Sequence, residues 1–368
     1  MKRWDIFCRV IDNLGDAAVC WRLARQLAQE WGYTVRLLID RPDVLQALQP
    51  GARTGHRCMG VQIAPWEAPP GPVADVVIAA FGCELPPAYR RALPSATTVW
   101  VNLEYFSAEP WTEASHGLPS PKPQGGVEHF FFPGLGARTG GVLREHDLLA
   151  RRDAFRSDPD QREAFLRRLG IARPGPIRRV SLFGYPTASW PALLDALDAT
   201  PTLPGSGPGS DGPWQVLIAE GVLPECIPSH PSAQRPSVLV QRIPFLPQDD
   251  YDRLLWSCDL NVVRGEDSLV RALWAGQPML WQAYPQEASA HRVKVEAWLA
   301  HLGVGDGPVA DAWLAWNDDQ AGAQVRAALL AGLQDWRHWQ DRSAALCRHE
   351  AALPDLAHRL IQFVHARA

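Results

Sequence analysis

Short apolar runs alternate with stretches of helical spacing along most of the chain, and that alternation organises everything else. Trp4 to Val10 is an apolar, β-prone run, followed by the loop Ile11-Asp12-Asn13-Leu14-Gly15-Asp16. Ala17, Ala18, Trp21, Leu23, Ala24, Leu27, Ala28 and Trp31 then recur at helical spacing, and Gly32 closes the pattern. Tyr33 to Ile39 predicts the next strand, completing a βαβ unit of ordinary length. Asp75 to Ala80, Thr97 to Asn102 and His129 to Phe132 predict further strands. Several are nearly continuously apolar, the mark of a parallel sheet covered on both faces.

A polar segment, Arg151 to Gly175, carries the helix start Asp158-Pro159 with Leu166 and Leu169 on one face, and predicts the crossing to a second domain. A second series follows. Strands are expected at Arg179 to Phe183, Trp214 to Ala219, Val238 to Gln241, Leu260 to Val263 and Met279 to Trp281. Helices are expected at Trp190 to Ala199, Asp249 to Ser257, Leu269 to Ala275 and Gln286 to Leu302. The Gly-, Ser- and Pro-containing stretches Thr202 to Pro213 and Pro224 to Pro236 predict loops. From Asp318 onward the chain is helical, with Val325, Leu329, Leu330 and Leu333 on one stripe, and a final helix covers Pro354 to Ala368. Residues 1–151 and 152–352 are thus two Rossmann-like α/β domains, with residues 353–368 returning to the first. Two such halves facing across a cleft, with a C-terminal helix crossing back, are the GT-B plan of nucleotide-sugar glycosyltransferases.

Composition narrows the class. In 368 residues, 46% are hydrophobic and 21% charged, as in an ordinary globular protein. A formal net charge of −4 disfavours a nucleic-acid partner held through phosphates. No apolar run approaches the roughly 18 residues of a membrane span, and Met1 to Ile6 runs straight into a strand pattern without a secretory h-region. A cytoplasmic protein with no membrane partner is expected. The seven cysteines are scattered without a C-x-x-C pair, which points to buried, reduced thiols.

The stretch with most chemical content is Arg264-Gly265-Glu266-Asp267-Ser268, between an apolar strand and a helix. Backbone N–H groups at such a helix start suit an anion, and ligands of open α/β sheets sit at carboxyl strand ends. Asp267 or Ser268 could instead simply cap the helix. Asp12 and Asp16 occupy the corresponding loop after the first strand, with Gly15 permitting close approach by a ligand. Two carboxylates there repel pyrophosphate and suit a cationic or proton-donating substrate; helix capping is the competing explanation for Asp16. Phe245 and Gln248 offer an aromatic face and an amide to a planar base, unless Phe245 is core. Tyr185 lies just beyond a strand end. His291 and Lys294, near Tyr284, share a helix face that could touch phosphate or solvent. There is no P-loop, no G-x-G-x-x-G and no His cluster with metal-ligand spacing, while the D-x-D pairs at Asp158 and Asp250 sit at helix starts, where capping explains them.

These residues fall in strings with a specific likeness. Trp4 to Cys8, Val10 to Asp16, Trp21 to Arg25, Asn102 to Tyr105, Phe130 to Gly134, Thr139 to Gly141, Pro244 to Gln248, Arg264 to Ser268 and Tyr284 to Gln286 together resemble the EarP family, bacterial protein-arginine rhamnosyltransferases that modify elongation factor P. The likeness spans essentially the full length. It departs at the insertion near 202–213 and at Gln282, where the family pattern has His. The resemblance implies a GT-B fold, dTDP-β-L-rhamnose as donor, one arginine of elongation factor P as acceptor, and inversion without a metal. It also implies Asp16 as general base with Asp12 beside it, and Glu266 as a second essential carboxylate. Asn13, Leu14, Gly15, Asp16, Tyr185, Gln248, Arg264, Gly265, Glu266, Asp267 and Ser268 match donor-contacting positions, and Phe245 matches the thymine-stacking aromatic. The acceptor is expected to enter near Glu104 to Tyr105 and Thr139 to Gly141. Competing readings are a GT-B enzyme acting on a lipid or glycan, and a nucleotide-binding partner of a translation factor without chemistry.

Overall fold

The computed structural model describes the chain apart from residues 1, 12–13, 70, 73, 94–97, 124, 172–176, 186–188, 203–211, 221–234, 285–289, 319–321 and 368. Asp12, Asn13, most of the 202–213 insertion and of the loop from Pro224 to Pro236, and Gln286 therefore lie outside the described residues. Met1–Leu148 and Glu350–Ala368 form one unit, and Leu149–His349 the other.

The first unit holds strands β1 (Arg3–Cys8), β2 (Thr34–Ile39), β3 (Arg57–Cys58), β4 (Val61–Pro65), β5 (Val76–Ala80), β6 (Val99–Leu103), β7 (Pro119–Pro121) and β8 (Val127–Phe131). Its helices are α1 (Gly15–Gln29), α2 (Pro42–Leu48), α3 (Pro87–Ala92) and α4 (Trp111–Ser115). The sheet order is β3-β4-β2-β1-β5-β6-β8-β7, with β3 and β7 antiparallel at the edges. The six parallel strands follow the Rossmann order 3-2-1-4-5-6, so the direction of winding reverses between β1 and β5.

The period-two alternation of β1 decides which helix covers which face. Trp4, Ile6 and Cys8 pack with Trp21 and Leu23 of α1, while Phe7 faces Val77, Tyr89 and Trp100 on the other side. Asp5 is buried on that second face, and its carboxylate is satisfied by Arg36 and the Tyr89 hydroxyl. The last helix, α14 (Leu356–His365), starts on an Asp355 cap and places Leu356, Leu360, Ile361 and Val364 in the same core as β1. Arg144 holds the returning chain by donating to the carbonyls of Ala351 and Leu353.

The second unit opens with α5 (Leu148–Ser157) and α6 (Pro159–Arg168), then β9 (Arg178–Leu182), α7 (Ser189–Asp198), β10 (Trp214–Ala219), β11 (Val238–Ile243) and α8 (Gln248–Trp256). It continues through β12 (Leu260–Arg264), α9 (Glu266–Ala275), β13 (Met279–Gln282), α10 (Ala290–Leu302), α11 (Pro308–Asn317), α12 (Gly322–Gln334) and α13 (Trp336–Ala351). Its five parallel strands run β11-β10-β9-β12-β13, so the winding reverses between β9 and β12.

The expected strands and helices are present. Strands β3, β4 and β7, which are short or interrupted by polar residues, and helices α2, α3, α4, α5 and α11 are not among the ranges read from the sequence. Helix α9 begins at Glu266, three residues before its apolar stripe, because Gly265 lets the chain turn directly into it. Asp158 caps α6 by accepting the Gln161 N–H at 2.9 Å. Asp250 and Asp252 do not cap α8; they are ion-paired to Arg168 and Arg253, and to Arg271.

Candidate active site

In the second unit, the ends of β9, β12 and β13 converge at the point of winding reversal. Gly265 adopts φ 63 and ψ −167, a conformation reserved for glycine, and α9 starts on the next residue. No side chain caps that helix. The Ser268 hydroxyl donates back to the Arg264 carbonyl, so the capping role considered for Asp267 or Ser268 is not the one they play. Trp281 Nε1 donates to the Gly265 carbonyl at 3.0 Å and pins the turn from β13. Glu266 and Asp267 stand in the first turn, where the helix dipole favours negative charge. Asp267 is buried near Tyr251 of α8, and burial, with the Asp267 and Asp252 charges added, pushes that phenol well above its ordinary range.

Arg264 leans over two rings from the β9 end, its guanidinium carbon 4.8 Å from the Phe183 centroid and 4.5 Å from that of Tyr185. Its Nη1 donates to the Gly184 carbonyl at 3.3 Å. Tyr185 meets the ring of Tyr284 edge-on at 5.5 Å. At the β11 end, Phe245 is 37% exposed whereas Gln248 is buried at the start of α8. Phe245 is therefore not a core residue, and its ring is open to a ligand. His291 has a structural partner, the Asn317 carbonyl at 3.0 Å, and Asn317 in turn braces Ala283 and Trp281.

The first unit presents a second set at its own reversal point. Leu14 precedes α1, Gly15 begins it, and Asp16 follows with only 2% exposure. The Asp16 carboxylate accepts the Ile11 N–H at 2.8 Å and so ties the loop after β1 to the helix. Asp16 is in the first helical turn and is not the cap residue, which is Leu14. After β5, Phe81 and Gly82 both have positive φ, 57 and 67. Phe81 stacks on Tyr105 with centroids 4.4 Å apart. Asn102 bridges the same corner, accepting the Gly82 N–H at 3.0 Å and donating to Glu104 at 2.7 Å. Burial raises the Glu104 carboxyl above its ordinary value.

The Thr139 to Gly141 string is not an entry surface. Thr139 is buried and bonds the Gly134 carbonyl, a Cβ on Gly140 would stand 2.5 Å from Phe131, and Arg359 of α14 donates to the carbonyls of Gly136 and Thr139 at 2.8 Å. Internal packing accounts for it.

The family model for the elongation-factor P (EF-P) rhamnosyltransferase EarP matches residues 4–365. The chain belongs to the EarP family. A curated relative from Pseudomonas putida KT2440, named protein-arginine rhamnosyltransferase, is 45% identical over 381 residues, covering 98% of each chain. A solved structure described as the structural basis for EarP-mediated arginine glycosylation of translation elongation factor EF-P is 33% identical, with TM-score 0.68 and full coverage of both chains. The spinosyn forosaminyltransferase SpnP, at 15% identity and TM-score 0.51, shares the fold over 99% of both chains. The protein is a glycosyltransferase with the two-domain GT-B plan.

Within this family frame, the structure adds residues that the sequence did not single out for chemistry. Phe81, Gly82 and Asn102 shape the corner of the first unit, and Trp190 and Gln282 shape that of the second. Gly82 is a glycine after a strand end, Asn102 opens one of the strings that carry the family resemblance, and Gln282 departs from the family pattern; Phe81 and Trp190 carry no such signal.

Proposed function

We propose that this enzyme transfers L-rhamnose from dTDP-β-L-rhamnose to one arginine side chain of elongation factor P, with inversion at the anomeric carbon. The observation carrying this reading is the full-length match to a relative named protein-arginine rhamnosyltransferase. The geometry supports it, because each Rossmann unit presents the expected residue types at its own reversal point. Since the acceptor is a translation factor, the proposed compartment is the cytoplasm.

The second unit has the features of a nucleotide-sugar site. The exposed Phe245 ring offers a stacking face for thymine, with Gln248, Tyr185 and the Arg264–Ser268 loop completing the donor contacts. As the anomeric C–O bond breaks, charge develops on the departing dTDP diphosphate. Arg264 and the first-turn N–H groups of α9 are suited to stabilise it without a metal.

The acceptor poses a separate problem. A guanidinium has a pKa above about 12 and no lone pair ready for attack. A carboxylate can localise its electrons by hydrogen bonding and take the proton as the C–N bond forms. We assign that proton to Asp16, with Asp12 as the second carboxylate of the pair, and assign Asn13, Leu14, Gly15 and Asp16 to contacts with the donor. Glu266 is assigned to a sugar hydroxyl or to orientation of the acceptor. The Phe81–Tyr105 stack beside Glu104 is a planar, acidic corner where an arginine can lie flat.

The test is to mix the protein with dTDP-L-rhamnose and elongation factor P and weigh the acceptor. One deoxyhexose on one arginine is expected, and a chelator should leave the rate within about twofold. An acceptor of unchanged mass under these conditions would sink the assignment.

A further inference from the structure

The peptide group joining Gly184 to Tyr185 is held at both ends. Its carbonyl accepts Arg264 Nη1 at 3.3 Å, and its N–H donates to Gln282 Oε1 at 2.8 Å. Arg264 and Gln282 are register partners on β12 and β13, so two neighbouring strands reach opposite ends of one peptide plane. The next carbonyl, that of Tyr185, accepts Trp190 Nε1 at 3.0 Å. Space is equally constrained: a Cβ on Gly184 would lie 2.4 Å from two ring carbons of Trp190 and 2.8 Å from Gln282 Oε1.

Because an N–H faces Gln282, the amide atom opposite must be an acceptor. Rotating the peptide by half a turn would aim an N–H at the Arg264 guanidinium, a repulsive contact between two donors, and would force the Gln282 amide to turn over with it. Gln282 is buried, so water is a poor substitute for its oxygen. The orientation of this one peptide sets both the Tyr185 ring and the guanidinium resting on it.

We propose that Gln282 is a positioning residue for the nucleotide-sugar site, acting through the Gly184–Tyr185 peptide to place Arg264 and Tyr185 against the donor diphosphate. This rests on assigning donor binding to the second unit. Its signature is selective: donor affinity and turnover depend on an acceptor atom at position 282, whereas acceptor affinity does not.

The experiment compares Gln282→Met, which keeps the length and loses the acceptor, with Gln282→His, whose imidazole retains an acceptor nitrogen. KM for each substrate and kcat are measured, together with calorimetric titration of dTDP. In Gln282→Met the donor KM and the dTDP dissociation constant should rise at least about tenfold and kcat should fall, with the acceptor KM within about threefold. Gln282→His should stay within about threefold of the wild type on every parameter. A donor KM within about twofold in Gln282→Met overturns the proposal, as does a parallel loss of all three constants in both variants. Should Gln282→Met not fold, Trp190→Phe decides: it removes the donor to the Tyr185 carbonyl together with the ring carbons packed on Gly184, and an unchanged donor KM counts against the clamp. If the wild type itself transfers no rhamnose, the functional assignment has failed; if it transfers and Gln282→Met is unaffected, the role of Gln282 has failed.

Discussion

Arg271 closes a two-pronged ion pair on Asp252, Nε to Oδ1 at 2.9 Å and Nη2 to Oδ2 at 2.7 Å, with both side chains 1% exposed. The pair ties α8 to α9, the two helices whose first turns carry Gln248 and Glu266 to Ser268. Neither charge can be buried alone. Arg271→Met strands the carboxylate and should cost roughly 3–5 kcal/mol in denaturant unfolding. Adding Asp252→Leu should restore most of that loss. A single variant that melts like the wild type would show that the pair is replaceable by solvent.

Gly265 makes the turn that delivers the backbone of α9. Its φ of 63 with ψ −167 is closed to residues bearing a Cβ. Gly265→Ala should cost about 1–3 kcal/mol and raise the donor KM, since the chain must move to relieve the strain. Thermal melting and donor kinetics check both halves of the claim; an unaltered donor KM would separate the turn from the site.

Asp16 accepts the Ile11 N–H and is also the proposed base, and substitution can separate the two. Asp16→Asn can keep accepting the Ile11 N–H through its amide oxygen but is a far poorer proton acceptor. Single-turnover transfer should fall by about 10²- to 10⁴-fold while the melting temperature holds. Asp16→Ala should lose the same rate and, in addition, about 1 kcal/mol of stability from the missing hydrogen bond. A fast Asn variant would remove Asp16 from the base role.

Phe245 is partly exposed, so truncating it should leave stability nearly intact. Base stacking on an aromatic is worth about 1–3 kcal/mol, which predicts a donor affinity at least about fivefold weaker in Phe245→Ala. Acceptor affinity should not change. Equal weakening of both by calorimetry would contradict stacking.

His116 gives the first unit a pH dependence. Its Nδ1 accepts the Phe132 N–H at 3.1 Å, and burial, followed by the Arg359 and Arg367 charges, lowers its pKa to about 4. In the unfolded chain the ring protonates near 6.5. Between those values the unfolded state binds more protons, so this contribution to stability is present above about pH 6.5 and is lost as pH falls towards about 4. Melting temperature should fall as pH is lowered through that window, and His116→Gln should flatten this dependence. An identical slope in the variant would assign the effect elsewhere.

Much of this molecule was legible in its residues. Runs such as Val76 to Ala80, apolar on every position, announce a strand covered on both faces, and the helical spacing from Ala17 to Trp31 announces the helix beside it. Asp158 was readable as a cap because its partner, Gln161, is three residues away. The candidate loops were readable too, as glycine and carboxylates placed where apolar runs stop. Burial pattern and capping are local properties, and a linear chain records them directly.

The tertiary structure alone decided which strand ends meet. The strand order sets β9 beside β12, and only then does the N–H of Tyr185 reach Gln282, 97 positions away. It also converted Asp252 from a presumed cap into half of a buried ion pair with Arg271, and Thr139 to Gly141 from an entry surface into packing under α14. Such pairings depend on register and crossing geometry between elements distant in sequence. A side chain's own neighbours along the chain do not reveal them.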